Sequence, residues 1–200
     1  MAKPDEIFPR PAGLGAGVWF TGLPGAGKST VVKAVREALC ERGVDAFWLQ
    51  MDARRAHYIQ KPTYSIEERR VAYRMFVDEA AALVDAGRIV LMDGSGPEVA
   101  MRRYARGRMA RFAEVHLKCS VYTAMKRESA RPEGMVMAGL YAKAMKRKAT
   151  GQQFPGLGQV IGIDVVFEED PAAELTLDAE QLDTTAKRDA VLARFASWWG

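Results

Sequence analysis

The chain has 200 residues, of which 48% are hydrophobic and 27% are charged, and its formal net charge is +4. These proportions exclude a disordered or fibrous chain and are typical of one globular domain with a sizeable core. No apolar run reaches the roughly 18 residues of a membrane span, and residues 1–11 lack the apolar segment of a secretory signal. Two cysteines, Cys40 and Cys119, exclude a disulfide framework, so we expect buried thiols and a cytoplasmic location.

Predicted strands and helices alternate along the chain. We expect strands at about 17–21, 46–51, 88–92, 113–117 and 174–177, and helices at about 30–42, 65–85, 97–111, 120–128, 140–148 and 184–199. This alternation predicts an α/β fold in which a five-stranded parallel sheet carries helices on both faces. Residues 1–15 are expected to form an N-terminal extension, and residues 16–200 a single domain.

A glycine-rich segment follows the first predicted strand and leads into a helix. Residues 22–30 fit the P-loop pattern G-x-x-x-x-G-K-[ST] in the strand–loop–helix context that the motif needs. Backbone N–H groups and the helix N-terminus of such a loop bind phosphate. A turn that binds nothing is the disfavoured alternative. The pattern therefore predicts a P-loop NTPase fold, with ATP and Mg²⁺ bound by Gly22, Gly25, Ala26, Gly27, Lys28, Ser29 and Thr30.

Two aspartates end other predicted strands, where ligands of parallel sheets bind. Asp52 follows the second strand and is expected either to accept a proton or hold metal-bound water, or to cap a helix or turn. Asp93 ends the third strand and resembles the acidic residue that holds Mg²⁺, with capping or packing of its loop as an equal alternative. We expect both to converge with the P-loop on one crevice.

Arginines and aromatic residues supply candidate binding groups for an acceptor. Arg55, Arg69 and Arg70 suit phosphate or sulfate, although at least one is expected to be a solvated helix charge. Tyr64 and Phe154 are candidates to stack on a base or ring, and core packing is an equal alternative for each.

Basic side chains are concentrated between residues 118 and 148. A solvated helix face, a phosphate-binding lid at about 127–160 and a nucleic-acid patch are the interpretations. Because aromatic residues do not interleave with these charges, nucleic acid ranks below a small phosphorylated ligand. Trp198 and Trp199 are expected to pack the last helix or a homodimer face rather than a ligand.

Five further segments accompany the P-loop in a fixed order. They are Val18–Leu23 before it, Leu49–Arg55, Tyr64–Arg69, Gly139–Ala144, and the stretch from Gly162-Ile163-Asp164 to Asp178. Together they resemble the adenylylsulfate kinase family, P-loop kinases that phosphorylate the 3′-hydroxyl of adenosine 5′-phosphosulfate. The corresponding family patterns for the second, third and fourth segments are L-D-G-D-N-x-R, F-S-x-x-D-R and G-L-Y-K-K-A, and the likeness covers about residues 16–195.

The resemblance implies a role for each matched residue. Lys28 stabilises the transferring phosphoryl group, and Asp52 orients or deprotonates the acceptor hydroxyl. Arg55 and Arg69 hold the anionic group of the acceptor, and Tyr64 stacks on its base. A lid cation is also expected to close over the phosphates, and its candidates are Arg127, Arg131 and Lys143. Lys143 and Phe154 are the candidates for further contacts with the acceptor.

Departures from the family pattern fall on the acceptor side. They are Gln50 for the first family aspartate, Met51 for its glycine, Ala72 for an asparagine, a loop at 93–98 that lacks the family arginine, Ala142 for a lysine, and insertions near 129–137 and 155–160. A different acceptor, such as a sugar acid or nucleoside, is therefore the first alternative. A non-catalytic nucleotide-binding regulator and a nucleic-acid 5′-kinase are weaker alternatives.

Overall fold

The computed structural model describes residues 15–130 and 139–199. Its strands are β1 (Ala16–Thr21), β2 (Ala46–Gln50), β3 (Ile89–Asp93), β4 (Phe112–Lys118) and β5 (Leu175–Asp178). Its helices are α1 (Lys28–Glu41), α2 (Met51–Tyr58), α3 (Ile66–Asp85), α4 (Val99–Arg108), α5 (Val121–Ser129), α6 (Leu140–Thr150) and α7 (Thr184–Arg194), followed by a 3-10 turn at Ala196–Trp198.

All five strands are parallel and lie in the order β2-β3-β1-β4-β5. β3 lies between β1 and β2, so that Asp93 is in register with Phe20 on one side and Gln50 on the other. The carboxyl ends of these three strands are therefore neighbours, although they are far apart in sequence. The prediction of a five-stranded parallel sheet is confirmed.

Helices cover both faces of this sheet because successive strand residues point to opposite faces. Phe20 points to a core that includes residues of α1 and α7, among them Leu39 and Val191. Its neighbour Trp19 points to a second core, built with α3 and α4 and including Phe76. The phosphate-loop end of β1 is therefore held between two apolar layers.

The bounds differ from the prediction mainly after β2. We expected the strand to continue through Met51, but the strand ends at Gln50 and Met51 begins α2. Met51 is buried in the second core, and the Ala and Arg residues that follow it favour a helix. The last helix ends at Arg194 rather than continuing to residue 199.

The C-terminal tryptophans pack the last helix, as expected. Trp199 is buried and its indole Nε1 donates to the carbonyl oxygen of Leu192 at 3.0 Å. The Trp198 ring lies 5.1 Å from that of Phe195, centroid to centroid. Both aromatic side chains thus anchor the end of α7 to the first core.

The expectation of two buried thiols is wrong for Cys40. Cys40 is exposed, because it lies on the outer face of α1, and Cys119 is half-buried; both are free. Across the described part of the chain, no helix has the length and apolar character needed to cross a membrane.

Candidate active site

The neighbouring ends of β1, β2 and β3 open onto a pocket that brings together most of the predicted site residues. Ten of them line it: Gly25, Gly27, Lys28, Ser29, Thr30, Asp52, Arg55, Tyr64, Arg69 and Asp93.

The phosphate loop wraps the N-terminus of α1. Gly25 has a φ of 88°, and a Cβ at this position would lie 2.4 Å from the carbonyl oxygen of Ala124, so only glycine fits. Lys28 begins α1, and its Nζ donates to the carbonyl oxygens of Gly22 (3.1 Å) and Leu23 (2.9 Å). A helix N-terminus with a lysine inside its loop is a ready anion site.

Asp93 is the buried acid of this pocket, with 6% of its surface exposed. Its Oδ2 accepts a hydrogen bond from Trp48 Nε1 at 3.3 Å, and it also hydrogen-bonds Ser29. Burial raises the pKa of Asp93, and the nearby charge of Lys28 and the hydrogen bond of Ser29 oppose this rise. A carboxylate beside a hydroxyl at a phosphate loop is an oxygen-donor set that fits Mg²⁺.

Asp52 is the exposed carboxylate of the pocket. It lies in the first turn of α2, whose N-cap is Gln50, so Asp52 is not the cap residue itself. It lines the pocket together with the phosphate loop and the two arginines Arg55 and Arg69. A solvent-accessible carboxylate there can accept a proton from a bound hydroxyl.

Arg55 and Arg69 form the cationic side of the pocket. Each is only 4% exposed, and their guanidinium carbons lie 5.3 and 5.6 Å from the centroid of the Tyr64 ring. Arg55 Nη1 lies 3.5 Å from Glu68 Oε1, but Arg55 Nε and Nη1 and Arg69 Nε have no hydrogen-bond partner among the described residues.

Burial has an electrostatic cost on this side. It lowers the pKa of Arg69, because desolvation disfavours the charged guanidinium. Buried donors without partners are costly, and an anion placed between the two arginines would satisfy them. This side of the pocket is therefore built to receive a negatively charged group.

Trp19 fixes the loop that follows β3 and that forms the pocket floor at Gly94 and Ser95. Its Nε1 donates to the carbonyl oxygen of Gly94 at 2.9 Å. Gly96 has a φ of 53°, and a Cβ there would lie 2.8 Å from the Trp19 ring. The loop can follow this path only with glycine pressed against the indole.

A fully buried ion pair supports the same loop from below. Arg102 Nε lies 3.0 Å from Glu114 Oε1, both side chains are 0% exposed, and Thr21 Oγ1 donates to that oxygen at 2.7 Å. Arg102 also donates to the carbonyl oxygen of Gly96. Thr21 directly precedes the phosphate loop, so the Arg102–Glu114 pair connects that loop with the loop that follows β3.

The remaining predicted residues lie elsewhere. Gly22 and Ala26 are buried within the phosphate loop, and Gly22 contributes its carbonyl oxygen to Lys28. Arg127 donates to the carbonyl oxygen of Ala179 at 2.7 Å, and Lys143 is exposed on α6. Phe154 packs against a third apolar cluster that includes Leu140, and Arg131 lies outside the described residues. Among the described candidates, Arg127, Lys143 and Phe154 therefore do not line the pocket.

Several pocket residues were not singled out as site residues from sequence. Tyr73 is one turn after Arg69 on α3, a spacing that could have indicated it. Ser95 lies just past β3, and Gln50 was noted only as a departure. Val160 and Ile161 also line the pocket, and nothing in their sequence indicated this. For Phe154 the core-packing alternative is the one that the structure shows.

The chain is similar to known proteins over most of its length. The family model for adenylylsulphate kinase matches residues 14–178. The adenylyl-sulfate kinase of Klebsiella pneumoniae is 37% identical over 172 residues, which cover 85% of this chain and 78% of that protein. That of Geotalea uraniireducens is 34% identical over 177 residues, covering 88% and 77%.

A solved structure shows the same relationship in three dimensions. The APS kinase of Mycobacterium tuberculosis, in complex with AMPPNP and APS, has a TM-score of 0.76 and 27% identity, covering 92% of this chain and 98% of that one. The family match, the curated relatives and this structural similarity agree with the phosphate loop and the arginine-lined pocket. The chain belongs to the adenylylsulfate kinase family.

Proposed function

We propose that the chain transfers the γ-phosphoryl group of ATP to the 3′-hydroxyl of adenosine 5′-phosphosulfate. One observation carries the proposal: the phosphate loop shares a single pocket with two buried arginines that lie beside Tyr64 and have guanidinium nitrogens without a hydrogen-bond partner in the described part of the chain. A kinase for an anionic acceptor needs both a phosphate site and an anion site. The carboxylate of Asp52 lines the same pocket.

On the nucleotide side, the backbone N–H groups of residues 25–30 and Lys28 would bind the phosphates of ATP. Ser29 and Asp93 would hold Mg²⁺, which when bound neutralises charge shared by the β- and γ-phosphates. Lys28 already lies inside the loop, so phosphates would replace the carbonyl oxygens of Gly22 and Leu23 as its partners.

On the acceptor side, Arg55 and Arg69 would bind the phosphosulfate group, whose oxygens match the unpaired guanidinium donors. Tyr64 would stack on the adenine ring, and Asp52 would orient and deprotonate the attacking hydroxyl. Gln50 and Ser95 line the same pocket, where the family pattern has other residues. They would contribute neutral hydrogen-bonding groups rather than charges.

A lid over the phosphates would keep water away from the transferring group. Arg127 and Lys143 are the described candidates to exclude water over the phosphates. Arg127 would have to leave the carbonyl oxygen of Ala179 to do so.

The deciding experiment measures ADP release by the purified protein with ATP, Mg²⁺ and adenosine 5′-phosphosulfate, beside Asp52→Asn. Turnover at micromolar substrate in the wild type, abolished in the variant, supports the proposal. ATP binding without turnover would contradict it, and other small anionic alcohols would then be the acceptors to test. If no acceptor of this kind causes ADP release, a non-catalytic regulator would be favoured.

We further infer that the chain binds small molecules and acts in the cytoplasm. We also predict that it forms a homodimer. Light scattering coupled to size-exclusion chromatography measures the mass in solution and decides between monomer and dimer.

A further inference from the structure

Helix α6 contacts the phosphate loop and, at its other end, the segment that supplies Val160 and Ile161 to the pocket. Near its start, the Tyr141 hydroxyl donates to the carbonyl oxygen of Pro24 in the phosphate loop at 2.9 Å. Near its end, Arg147 donates through Nη1 to the carbonyl oxygen of Gly158 at 2.7 Å and through Nη2 to Asp164 Oδ2 at 2.6 Å. Neither Arg147 nor Asp164 lines the pocket.

The segment that Arg147 holds is in turn bonded to the acceptor side. The N–H of Gln159 donates to the carbonyl oxygen of Tyr64 at 3.2 Å. Its own carbonyl oxygen accepts from Arg69 Nη2 at 2.8 Å, and its side-chain Oε1 accepts from the N–H of Ile66 at 2.7 Å. Three groups of one residue therefore fix the start of α3 and the guanidinium of Arg69.

The same segment is pinned on its other side. Asp164 Oδ2 also accepts from the N–H of Val160 at 2.7 Å. Gly158 has a φ of 59°, and a Cβ there would lie 2.3 Å from the carbonyl oxygen of Thr63 and 2.5 Å from Tyr64 Cβ. The backbone of 158–160 thus presses directly against the Tyr64 segment and cannot shift without moving it.

Tyr64 needs such support because its backbone has a φ of 57°, a left-handed conformation that residues other than glycine seldom adopt. Conformations of this kind persist only where neighbouring structure fixes them. Here the fixing bonds come from Gln159 and from Glu68, whose Oε2 accepts from the Tyr64 N–H at 3.1 Å. The ring is thereby held beside both arginines.

We propose that Arg147 and Asp164 form a clasp that positions the acceptor subsite through the backbone of residues 158–160. Their side chains are 21% and 22% exposed, so the pair is screened less than a surface ion pair. The clasp holds Gly158 and Val160, these hold Gln159, and Gln159 holds Tyr64 and Arg69. The functional part of this inference rests on the proposed phosphorylation of adenosine 5′-phosphosulfate.

The kinetic test compares Arg147→Met with Lys148→Met, an exposed neighbour on the same helix. We expect Arg147→Met to raise the KM for adenosine 5′-phosphosulfate about tenfold, as for one lost charge-assisted hydrogen bond. The KM for ATP should stay within about twofold, since the Tyr141 contact to the phosphate loop is retained. Arg147→Lys should give an intermediate value, and Lys148→Met the wild-type value.

A joint rise in both KM values, or no change in either, would overturn the inference. If Arg147→Met does not fold, Arg147→Lys and Asp164→Asn are read by the same criterion. Combining Arg147→Met with Asp164→Asn should add little to the single change, because both remove one clasp.

Hydrogen–deuterium exchange of the free protein provides a readout that needs no substrate. Arg147→Met should speed exchange of the Ile66 and Gln159 amides while leaving the amides of β1 and β3 unchanged. Exchange at Ile66 and Gln159 equal to that of wild type would refute the clasp. If wild type does not turn over adenosine 5′-phosphosulfate, the proposed function fails while this measurement still decides the structural inference.

Discussion

The indole Nε1 of Trp48 lies 3.3 Å from Oδ2 of Asp93 and donates a hydrogen bond to it. Trp48 comes from β2 and Asp93 from the adjacent β3, so the sheet itself orients the buried acid of the phosphate pocket. One carboxylate oxygen is thus turned toward β2, while Ser29 contacts the same carboxylate from the phosphate loop.

We expect Asp93→Asn to make the nucleotide-free protein more stable and to reduce its turnover. Burial raises the pKa of Asp93 from its ordinary value of 3.8. Folding stability is therefore lost as the pH rises from that value through the folded pKa, and the full cost of ionisation is present above it. At neutral pH an amide removes that cost but is a poorer Mg²⁺ ligand. Calorimetry without nucleotide, and turnover across a Mg²⁺ titration, measure the two effects. A lower melting temperature with unchanged turnover would contradict both.

Asp52→Asn should lower kcat by at least about a hundredfold, the usual contribution of a general base. The Kd for ATP should not change, because Asp52 lies on α2 rather than on the phosphate loop. Single-turnover kinetics and equilibrium ATP binding separate the two quantities. Full activity of this variant would remove Asp52 from the mechanism.

Arg102→Met should destabilise the protein by about 3 kcal/mol, since it leaves the fully buried Glu114 without its cation. Burial already raises the pKa of Glu114, which shows how poorly this site tolerates an unpaired charge. Adding Glu114→Gln should recover part of the loss. Urea unfolding of both single variants and the double variant gives the coupling energy, and strictly additive losses would count against a coupled pair.

His116 should weaken the fold in acid. Burial lowers its pKa from 6.5 to about 4, and Glu169 opposes the shift while Arg102, Lys118 and Lys28 reinforce it. The stability that comes from the neutral ring is complete above pH 6.5 and is lost as the pH falls from there toward 4.

Replacing His116 with Phe, which can still stack on Phe167, should remove about 2 kcal/mol of the stability loss between pH 7 and 4.5. Urea midpoints measured at these two pH values provide the test. If wild type and variant lose the same stability between the two pH values, other groups cause the acid sensitivity.

The fold and the phosphate half of the site were predictable because their signals are local. The P-loop pattern, the alternating elements and the aspartates at strand ends depend on residues close in sequence. Parallel topology alone then indicated that Asp52 and Asp93 would meet the P-loop. The helix at Met51–Tyr58 was not predicted because the apolar run of β2 continues through Met51. The boundary between strand and helix depends on the burial of Met51 in the second core, which the local sequence does not show.

The far wall of the pocket was predicted less well. Phe154 was a candidate for ring stacking or for core packing, and it packs against the third apolar cluster. Val160 and Ile161, at the end of the insertion near 155–160 and just after it, line the pocket instead. Their position depends on Arg147, Asp164 and Gln159, whose contacts join residues that are 4 to 93 positions apart in sequence. No periodicity or short motif encodes contacts of that kind.

The strand order has a consequence for the growing chain. When only β1 and β2 have been synthesised, the phosphate-loop sequence and Asp52 both exist, but they flank an empty position that β3 must fill. Asp93 and the Trp48 contact arrive together with that insertion. Nascent fragments that stop before residue 89 should therefore not retain nucleotide. Nucleotide affinity should appear only in fragments long enough for β3 to insert between β1 and β2.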